Sequence, residues 1–402
     1  MKILIVSQYF WPEDFRINEI AIHLKKQGHQ VDVITGRPNY PEGHLFEEYK
    51  NNPSAYSSLN GINIYRIPNI LRKNATKIQL FFNYLSFVVN GIVLGTYKLR
   101  KRKYDVIFTF ATSPITVALV SIRLSKIKNA KHIMWVLDIW PNILKELNII
   151  KNQYILIIIN RIVKFIYKKT DLILAQSNSF IKLIQTQSEN IKIKYIPAWA
   201  EAILDKNYKI KKDKSDDLLL DETKFKIVFT GNIGEAQNFE NIMKAAELLK
   251  LRKDISWIIV GTGRKIKEFQ KFIYDKEINN FNFIGKKPYE KMKFYHNNSS
   301  ILLLSLSWGE GLSATIPGKL QTYMNSNKAI LGFINGESKK ILEESGVGIH
   351  ANPENPFDLA EKIIYLKNNK DLIKKIETNK QGSKYVDKFF NKNEILKKIE
   401  QC

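Results

Sequence analysis

Three short segments in the second half of the chain carry residue types that could hold an anion. Thr230-Gly231-Asn232-Ile233-Gly234 follows the apolar run KIVF, and Gly261-Thr262-Gly263-Arg264 follows SWIIV. Two glycines at a strand-to-helix turn let backbone N–H groups approach a phosphate at a helix N-terminus. Arg264 adds a charge there, although a solvated helix start would also place an arginine at that point. The third segment, ILLLSLSWGEGLSATIPGKLQTYM (301–324), begins as a buried strand and ends as an amphipathic helix, with Glu310, Thr315, Lys319 and Thr322 after the strand. Pro317 suits a first helical turn, so a helix is expected to start near Ile316. Its positive N-terminus, with Lys319 one turn in, would hold a diphosphate, and Glu310 would accept hydrogen bonds from hydroxyls. A capped surface helix with a solvated lysine fits the same residues. No G-x-G-x-x-G and no G-x-x-x-x-G-K-[ST] occurs, so dinucleotide oxidoreductases and P-loop NTPases lose their best sequence support.

In the first half, the segments SQYFWPEDFR, GRPNYPEGH, ATSP and LDIWP are rich in aromatics and prolines with a few charges. Asp138, ahead of Trp140-Pro141, reads equally as a buried structural partner and as a ligand for substrate hydroxyls. Trp11, Trp140, Trp199 and Trp308 fall in expected loops, where stacking on a sugar or an isoprenoid competes with core burial. The six histidines have no metal-ligand spacing and there is no D-x-D, so no metal and no cofactor is expected. No G-x-S-x-G nucleophile elbow is present.

These loops need a scaffold, and the chain supplies strands followed by helices. KILIVSQ, VDVITG, INIYRIP, DVIFTFA, HIMWVLDIW, DLILAQS and IKYIPAW alternate with helical periods up to residue 200; KIVFTGNIG, SWIIVGTG, FNFIG, ILLLSLS, AILGFI and VGIH form a second series. Such alternation predicts βαβ units and parallel sheets, whose ligands sit outside the carboxyl ends of the strands. With 402 residues, two α/β domains of about 200 residues are expected. The boundaries are 1–200, a charge-rich linker over 201–224, 225–383, and a C-terminal helix over 384–402. The single cysteine, Cys402, has no partner within the chain, which suits a reducing compartment.

The net charge of +24 points to polyanionic partners such as nucleic acid, anionic lipid or phosphorylated substrates, and in part to lysine-rich codon usage. The most apolar long stretch, 77–103, has a core from Leu80 to Tyr97 near the lower limit for a membrane span, broken by Asn83, Ser86 and Asn90. An in-plane or buried helix is expected, followed by the basic run Lys98, Arg100, Lys101, Arg102 and Lys103.

In this order, the segments FWPEDFRINEIAIHLKKQGHQVDVITGRPNYPEGH, LDIWP, TDLILAQS, FTGNIGEAQNFENIMKAAELL, IIVGTGR and IPGKLQTYM resemble the family 4 retaining glycosyltransferases over nearly the whole chain. The branch that adds N-acetyl-L-fucosamine in bacterial O-antigen or capsule synthesis is the most similar. The resemblance implies a GT-B fold: α/β, with two facing Rossmann-like domains of parallel sheets and a deep cleft between them. It implies a UDP-sugar held by the second domain and a polyprenyl-diphosphate-linked acceptor held by the first. It also implies a crossing C-terminal helix, front-face substitution without a protein nucleophile, and no metal. The nucleotide-sugar set is then Gly231, Asn232, Gly234, Gly261, Gly263, Arg264, Gly285, Lys286, Lys287, Glu310, Gly311, Leu312, Lys319 and Thr322. The acceptor set is Arg16, Arg37, Asn39 and Trp140, and the catalytic set is Glu310, Lys319, Arg264 and Asp138. Many relatives have an Arg and a Lys near the first glycine turn; here those positions are Ile233 and Gln237 or Asn238, which leaves Arg264 and Lys319 as the cations. The second glutamate of the family's E-x7-E pair falls on Thr322, so Thr322, Gln321 or Glu310 takes over ribose.

The leading expectation is a sugar transferase, cytoplasmic and peripheral on the inner face of the membrane. The alternatives are a sugar-nucleotide epimerase of the same fold and a non-catalytic basic protein. No RRM, KH or helix-turn-helix signature supports nucleic acid as a partner.

Overall fold

The computed structural model describes residues 1–201 and 216–402. Of the linker expected over 201–224, residues 202–215 lie outside the described residues. The chain divides into two compact units, Met1–Ile196 with Leu396–Cys402, and Pro197–Ile395.

The first unit holds β1 (Lys2–Val6), β2 (Gln30–Thr35), β3 (Ser58–Leu59), β4 (Ile62–Arg66), β5 (Val106–Ala111), β6 (Lys131–Val136), β7 (Leu172–Ala175) and β8 (Ile193–Tyr195). They form one sheet in the order β3-β4-β2-β1-β5-β6-β7-β8, parallel throughout except for the antiparallel β3 edge. The second unit holds β9 (Phe225–Thr230), β10 (Ile255–Val260), β11 (Phe281–Gly285), β12 (Ile301–Ser305), β13 (Ile330–Phe333) and β14 (Gly348–Ala351). Its sheet is all parallel, in the order β11-β10-β9-β12-β13-β14. That is the doubly wound Rossmann order, whose direction reverses between β9 and β12; the first sheet reverses in the same way between β1 and β5. Continuous apolar runs make these strands because helices cover both faces: every residue of β9, β10, β12 and β13 is buried.

The apolar stretch near residue 80 is the helix Lys77–Lys98, capped by Thr76 and Gln79. Its buried face is Asn83, Phe87, Val88, Gly91 and Gly95, a spacing of four that faces the unit. Gly91 and Gly95 permit a close approach: a Cβ would lie 2.8 Å from Val120 Cγ2 at the first and 2.5 Å from Ile34 Cδ1 at the second. Asn83 accepts a hydrogen bond from Gln8 Nε2 at 2.7 Å and donates to the carbonyl of Ile70. The opposite face is large and apolar, with Ile78 71%, Phe81 60% and Val93 61% exposed. By length and composition this helix could cross a membrane; within the unit it packs one polar, glycine-rich face and leaves its apolar face uncovered.

Replacing Asn83 by Leu leaves Gln8 Nε2 and the Ile70 carbonyl without partners. Each buried group left unpaired costs about 1–3 kcal/mol, so the variant should melt several degrees below wild type. An unchanged melting temperature would show that these two hydrogen bonds do not anchor the helix.

Candidate active site

The second unit gathers three glycine turns at the carboxyl ends of β9, β10 and β11. They are joined backbone to backbone: Gly231 N–H donates to Val260 O (2.8 Å), Ile233 N–H to Thr262 O (2.9 Å) and Gly261 N–H to Gly285 O (2.9 Å). Gly261 has φ +153°, and a Cβ there would fall 1.8 Å from Gly231 O, so only glycine allows the two turns to touch. The exit of β12 closes the same edge. Ser307 N–H donates to Ala236 O (2.8 Å), and the Ser305 and Ser307 hydroxyls donate to Gln237 O and Glu235 O, both at 2.7 Å.

Lys319 lies under this edge. The helix that carries it spans Gly318–Asn325 with Pro317 as N-cap. It starts two residues later than the expected Ile316, because a separate short helix, Glu310–Ala314, occupies the chain before it. Lys319 is therefore the second helical residue rather than one turn in. Its Nζ sits 3.8 Å from the centre of the Phe229 ring. A Cβ on Gly231 would come within 2.7 Å of Lys319 Cε, so the first glycine turn is the roof over this side chain. The amine is buried and has no hydrogen-bond partner among the described residues. Burial pulls its pKa from 10.5 down to about 7.

The floor of the turn is fixed from below. Thr230 N–H donates to Tyr323 Oη at 2.8 Å, and the Thr230 hydroxyl lies 3.2 Å from His296 Nε2 and 3.3 Å from Tyr323 Oη. Burial holds His296 neutral, at about 4, and pushes the Tyr323 phenol up to about 12. The residues standing where relatives carry their Arg and Lys have structural tasks. Ile233 is in the core, Gln237 Oε1 accepts from Gly234 N–H at 3.1 Å, and the Asn238 amide donates to Pro353 O. None of them supplies a cation.

The other expected donor-side residues are placed as follows. Arg264 is exposed on the turn after β10, and its neighbour Lys265 pairs with Glu235 (3.1 Å) and Glu240 (2.8 Å) across to the first turn. Asn232 and Lys286 are exposed, Gly263 is packed against the Ile233 carbonyl, and Lys287 is half-buried after Gly285. Glu310 is exposed at the start of its short helix, whose Gly311 and Leu312 are buried. The Thr322 hydroxyl donates to Gly318 O one turn back (3.0 Å), and Gln321 is buried with its amide on Ala198 O (2.7 Å). The Thr322 oxygen is left to act as an acceptor only, and Gln321 is turned away into the core.

In the first unit the loops after β1 and β2 are clamped by Glu13, which sequence reading passed over. Its Oε1 accepts from Asn39 N–H and Tyr40 N–H at 2.8 Å each, and its Oε2 from Phe10 N–H at 3.3 Å. Burial outweighs these donors and lifts its carboxyl to about 7. Arg66, at the end of β4, donates to Gly36 O (3.1 Å) and to Trp11 O. Asn39 is buried with its amide on Arg37 O, and the Arg37 guanidinium donates to Asn69 O, so both brace the loop. Arg16 opens the helix Arg16–Lys26. Asp138 Oδ2 accepts from the N–H (3.0 Å) and the hydroxyl (2.8 Å) of Ser113, and desolvation pushes its carboxyl up. Trp140 is buried with its indole N–H on Ser113 Oγ (3.1 Å), Trp199 is fully buried, and Trp308 is exposed. Among the described residues no group of three or more His, Cys, Asp or Glu is placed to hold a metal ion.

Lys319 makes the free protein pH-sensitive. Its folded pKa lies below the unfolded one, so the unfolded chain binds more protons between about pH 7 and 10.5, and stability from this group rises across that window. The slope is at most about 1.4 kcal/mol per pH unit. Lys319→Met removes it, so the variant's advantage should be greatest below pH 7 and shrink as pH rises. Parallel stability–pH curves for the two proteins, measured by denaturant titration without ligand, would sink this account of the amine.

Residues 210–383 match the family model described as Glycosyl transferases group 1. A Pseudomonas aeruginosa protein named a probable glycosyltransferase, WbjE, is 26% identical over 275 residues, which is 66% of each chain. An Escherichia coli protein named a putative colanic acid biosynthesis glycosyl transferase, WcaI, is 22% identical across 99% of this chain and 98% of that one. Among solved structures, sucrose-phosphate synthase from Thermosynechococcus elongatus superposes with TM-score 0.74 at 13% identity, covering 100% of this chain and 97% of that one. Anabaena HepE in complex with UDP and glucose gives 0.67 at 14% identity, covering 100% and 98%. The fold is GT-B, and the match to the group 1 glycosyl transferases lies in residues 210–383, with relatives at 22–26% identity that carry glycosyltransferase names.

Proposed function

We propose that this protein is a retaining, metal-independent glycosyltransferase that moves a sugar from a UDP-sugar to a lipid-diphosphate-linked saccharide during bacterial surface polysaccharide synthesis. The observation that carries the reading is Lys319: a buried amine with no hydrogen-bond partner among the described residues, roofed by a glycine turn at the switch point of a Rossmann sheet. A sugar diphosphate seated on the three turns would lie over this amine, with exposed Asn232 and Arg264 beside it. Solved neighbours of the same fold hold UDP, glucose and UDP-glucose. The name of WcaI supports the polysaccharide setting, and N-acetyl-L-fucosamine is the sugar suggested by sequence resemblance.

In this mechanism the C1–O bond to the diphosphate breaks while the acceptor oxygen approaches the same face of the sugar. The departing diphosphate oxygen takes the acceptor proton, and no side chain becomes covalently attached. Lys319 stabilises charge that grows on the diphosphate, and it does so without reorganisation because Phe229 and Gly231 already fix it. Exposed Arg264 and Glu310 complete the donor site, to the diphosphate and to hydroxyls respectively. Binding a diphosphate restores the usual preference of the amine for its proton, so above about pH 7 donor binding takes up a proton. Glu13, Arg66 and Ser113 shape the acceptor loops, with Asp138 offering its carboxylate to acceptor hydroxyls. The exposed apolar helix Lys77–Lys98 and the basic run behind it support the reading of an enzyme peripheral on the cytoplasmic membrane face.

The test is a panel of UDP-sugars with a synthetic polyprenyl-diphosphate saccharide, scored by product mass. Consumption of the donor without an acceptor-dependent product would favour the epimerase alternative. Lys319→Ala should slow transfer about a hundredfold or more, corresponding to roughly 2–4 kcal/mol of barrier. Near-normal turnover would remove Lys319 from the site. Transfer should also persist in EDTA; activity abolished by chelation and restored by magnesium or manganese would overturn the metal-independent mechanism.

A further inference from the structure

We propose that the first unit carries a separate site for the phosphate of an anionic lipid headgroup, in a basic pocket at the amino edge of its sheet. The pocket has a volume of about 420 Å³ and is lined by Lys2, Lys25, Lys101, Arg102 and Lys103, with Asp32 and Tyr104 at its base. None of the five cations forms an ion pair among the described residues. Asp32, its one carboxylate, is already engaged on both oxygens: Asn63 Nδ2 donates to Oδ1 and Tyr104 Oη–H to Oδ2, each at 2.7 Å. The pocket therefore sets five cations around one carboxylate whose oxygens are both taken up by hydrogen bonds, an excess of positive charge of the kind a phosphate monoester or diester requires.

Its place in the fold separates it from the candidate active site. Lys2 and Gln30 open β1 and β2, whereas the loops clamped by Glu13 leave the other ends of the same strands. Its surroundings select the ligand. The helix Lys77–Lys98 runs up to the pocket with its apolar stripe outward, ending in Tyr97, which is 63% exposed. Arg100 stacks on that ring with its guanidinium 4.0 Å from the centre, and Lys101 to Lys103 follow directly. The helix Gln153–Lys168 adds Tyr154, Ile155, Ile157 and Ile158 as further exposed apolar residues. The two helices lie on one side of the sheet, where Lys77 Nζ reaches Asn148 O at 3.1 Å. An apolar stripe that ends in a cluster of cations has the polarity of a phospholipid: acyl chains along the stripe, phosphate in the pocket. A free anion or a nucleic acid would need the cations and not the stripe. The inference shares with the proposed function only its membrane setting.

The experiment uses the full chain and vesicles of phosphatidylcholine, with or without phosphatidylglycerol, in co-sedimentation. The pocket variant is Lys25→Gln/Lys101→Gln/Lys103→Gln. The control is Lys370→Gln/Lys374→Gln/Lys375→Gln, three exposed lysines of the second unit. The pocket variant should lose about tenfold or more of its partition onto phosphatidylglycerol vesicles and keep its partition onto neutral ones. The control should keep both. An equal loss in the control would mean that net charge alone is at work, and an undiminished pocket variant would remove the site; either result overturns the proposal. Saturable binding of inorganic phosphate without any preference for phosphatidylglycerol vesicles would assign the pocket to a free anion and overturn it as well. Should the triple variant fold poorly, Lys101→Glu/Lys103→Glu changes only exposed side chains and reads the same partition. No donor or acceptor is present in this assay. Failure of the glycosyltransferase reading would appear instead in the transfer assay with a short-chain, water-soluble acceptor, which the pocket variant should support at the wild-type rate.

Discussion

A lysine amine held against an aromatic ring, buried and with no hydrogen-bond partner among the described residues, is an unfavourable arrangement around which the second unit packs. The Phe229 ring offers Lys319 a negative face, but this repays only part of the hydration lost. The rest of the desolvation cost remains, and it is the reason the amine loses its proton at a lower pH than an exposed lysine. Much of the surrounding sequence follows from this. Gly231 has φ +131°, a conformation that residues with a side chain rarely adopt, and a Cβ there would displace Lys319 Cε. Gly261 must lack one because its turn presses on the Gly231 carbonyl. Tyr323, one turn after Lys319 on the same helix, fixes the backbone of Thr230 just before the glycine. The helix that brings the charge thus also brings the hydroxyl that holds the roof in register.

The same constraint explains which parts of the site could be read from the sequence. Strand–helix alternation, two parallel sheets and the glycine turns are local patterns, and each stands where the residues suggest. Lys319 stands out in the sequence because it follows Pro317 at the start of a helix after a strand, but a solvated lysine on a capped helix fits the same residues, and its burial is not legible there. Its contact with Phe229 was not legible, since it joins positions 90 residues apart whose meeting depends on the order of strands β9 and β12. Thr322 and Gln321 looked available for ribose from spacing alone. In the fold one bonds back to its own helix and the other turns into the core, because the face of a short helix is decided by what it packs on. Glu13 escaped notice for the opposite reason. A glutamate between Pro12 and Asp14 has the appearance of a solvated loop charge, yet it is 2% exposed and gathers three backbone N–H groups.

Glu13 and Arg66 show how a loop-built site is made rigid without regular structure. The loops after β1 and β2 have few backbone partners of their own, so side chains supply them: a carboxylate for the N–H groups and a guanidinium for the carbonyls. Both charges are desolvated, which raises the carboxyl to about 7 and lowers the guanidinium to about 10, and each offsets part of the other's penalty. Tyr9, Phe15 and Tyr40 stack beside them, with Arg72 4.9 Å over the Tyr40 ring. The aromatic character of these loops, which suggested sugar stacking in the sequence, is largely spent on packing the loops against one another.

The helix Lys77–Lys98 reverses the usual economy of an amphipathic helix. Ordinarily the apolar stripe is buried and the polar stripe faces water. Here the packed stripe is Asn83, Gly91 and Gly95 with Phe87 and Val88, and close backbone approach replaces large side-chain burial. Hydropathy averaged over the sequence cannot reveal this, because it reports how apolar a segment is and not which face the fold uses. Register is set instead by the Asn83–Gln8 hydrogen bond, since a buried amide has to meet its partner. Gln8 belongs to the loop that leaves β1, and its carbonyl accepts from Gly36 N–H of the loop that leaves β2. One buried amide therefore does two things at once: it turns seven large apolar side chains outward, and it ties the helix that bears them to the loops of the carboxyl edge. The outer apolar stripe thus runs from the loops of the carboxyl edge at the helix's first turns to the basic pocket at its last.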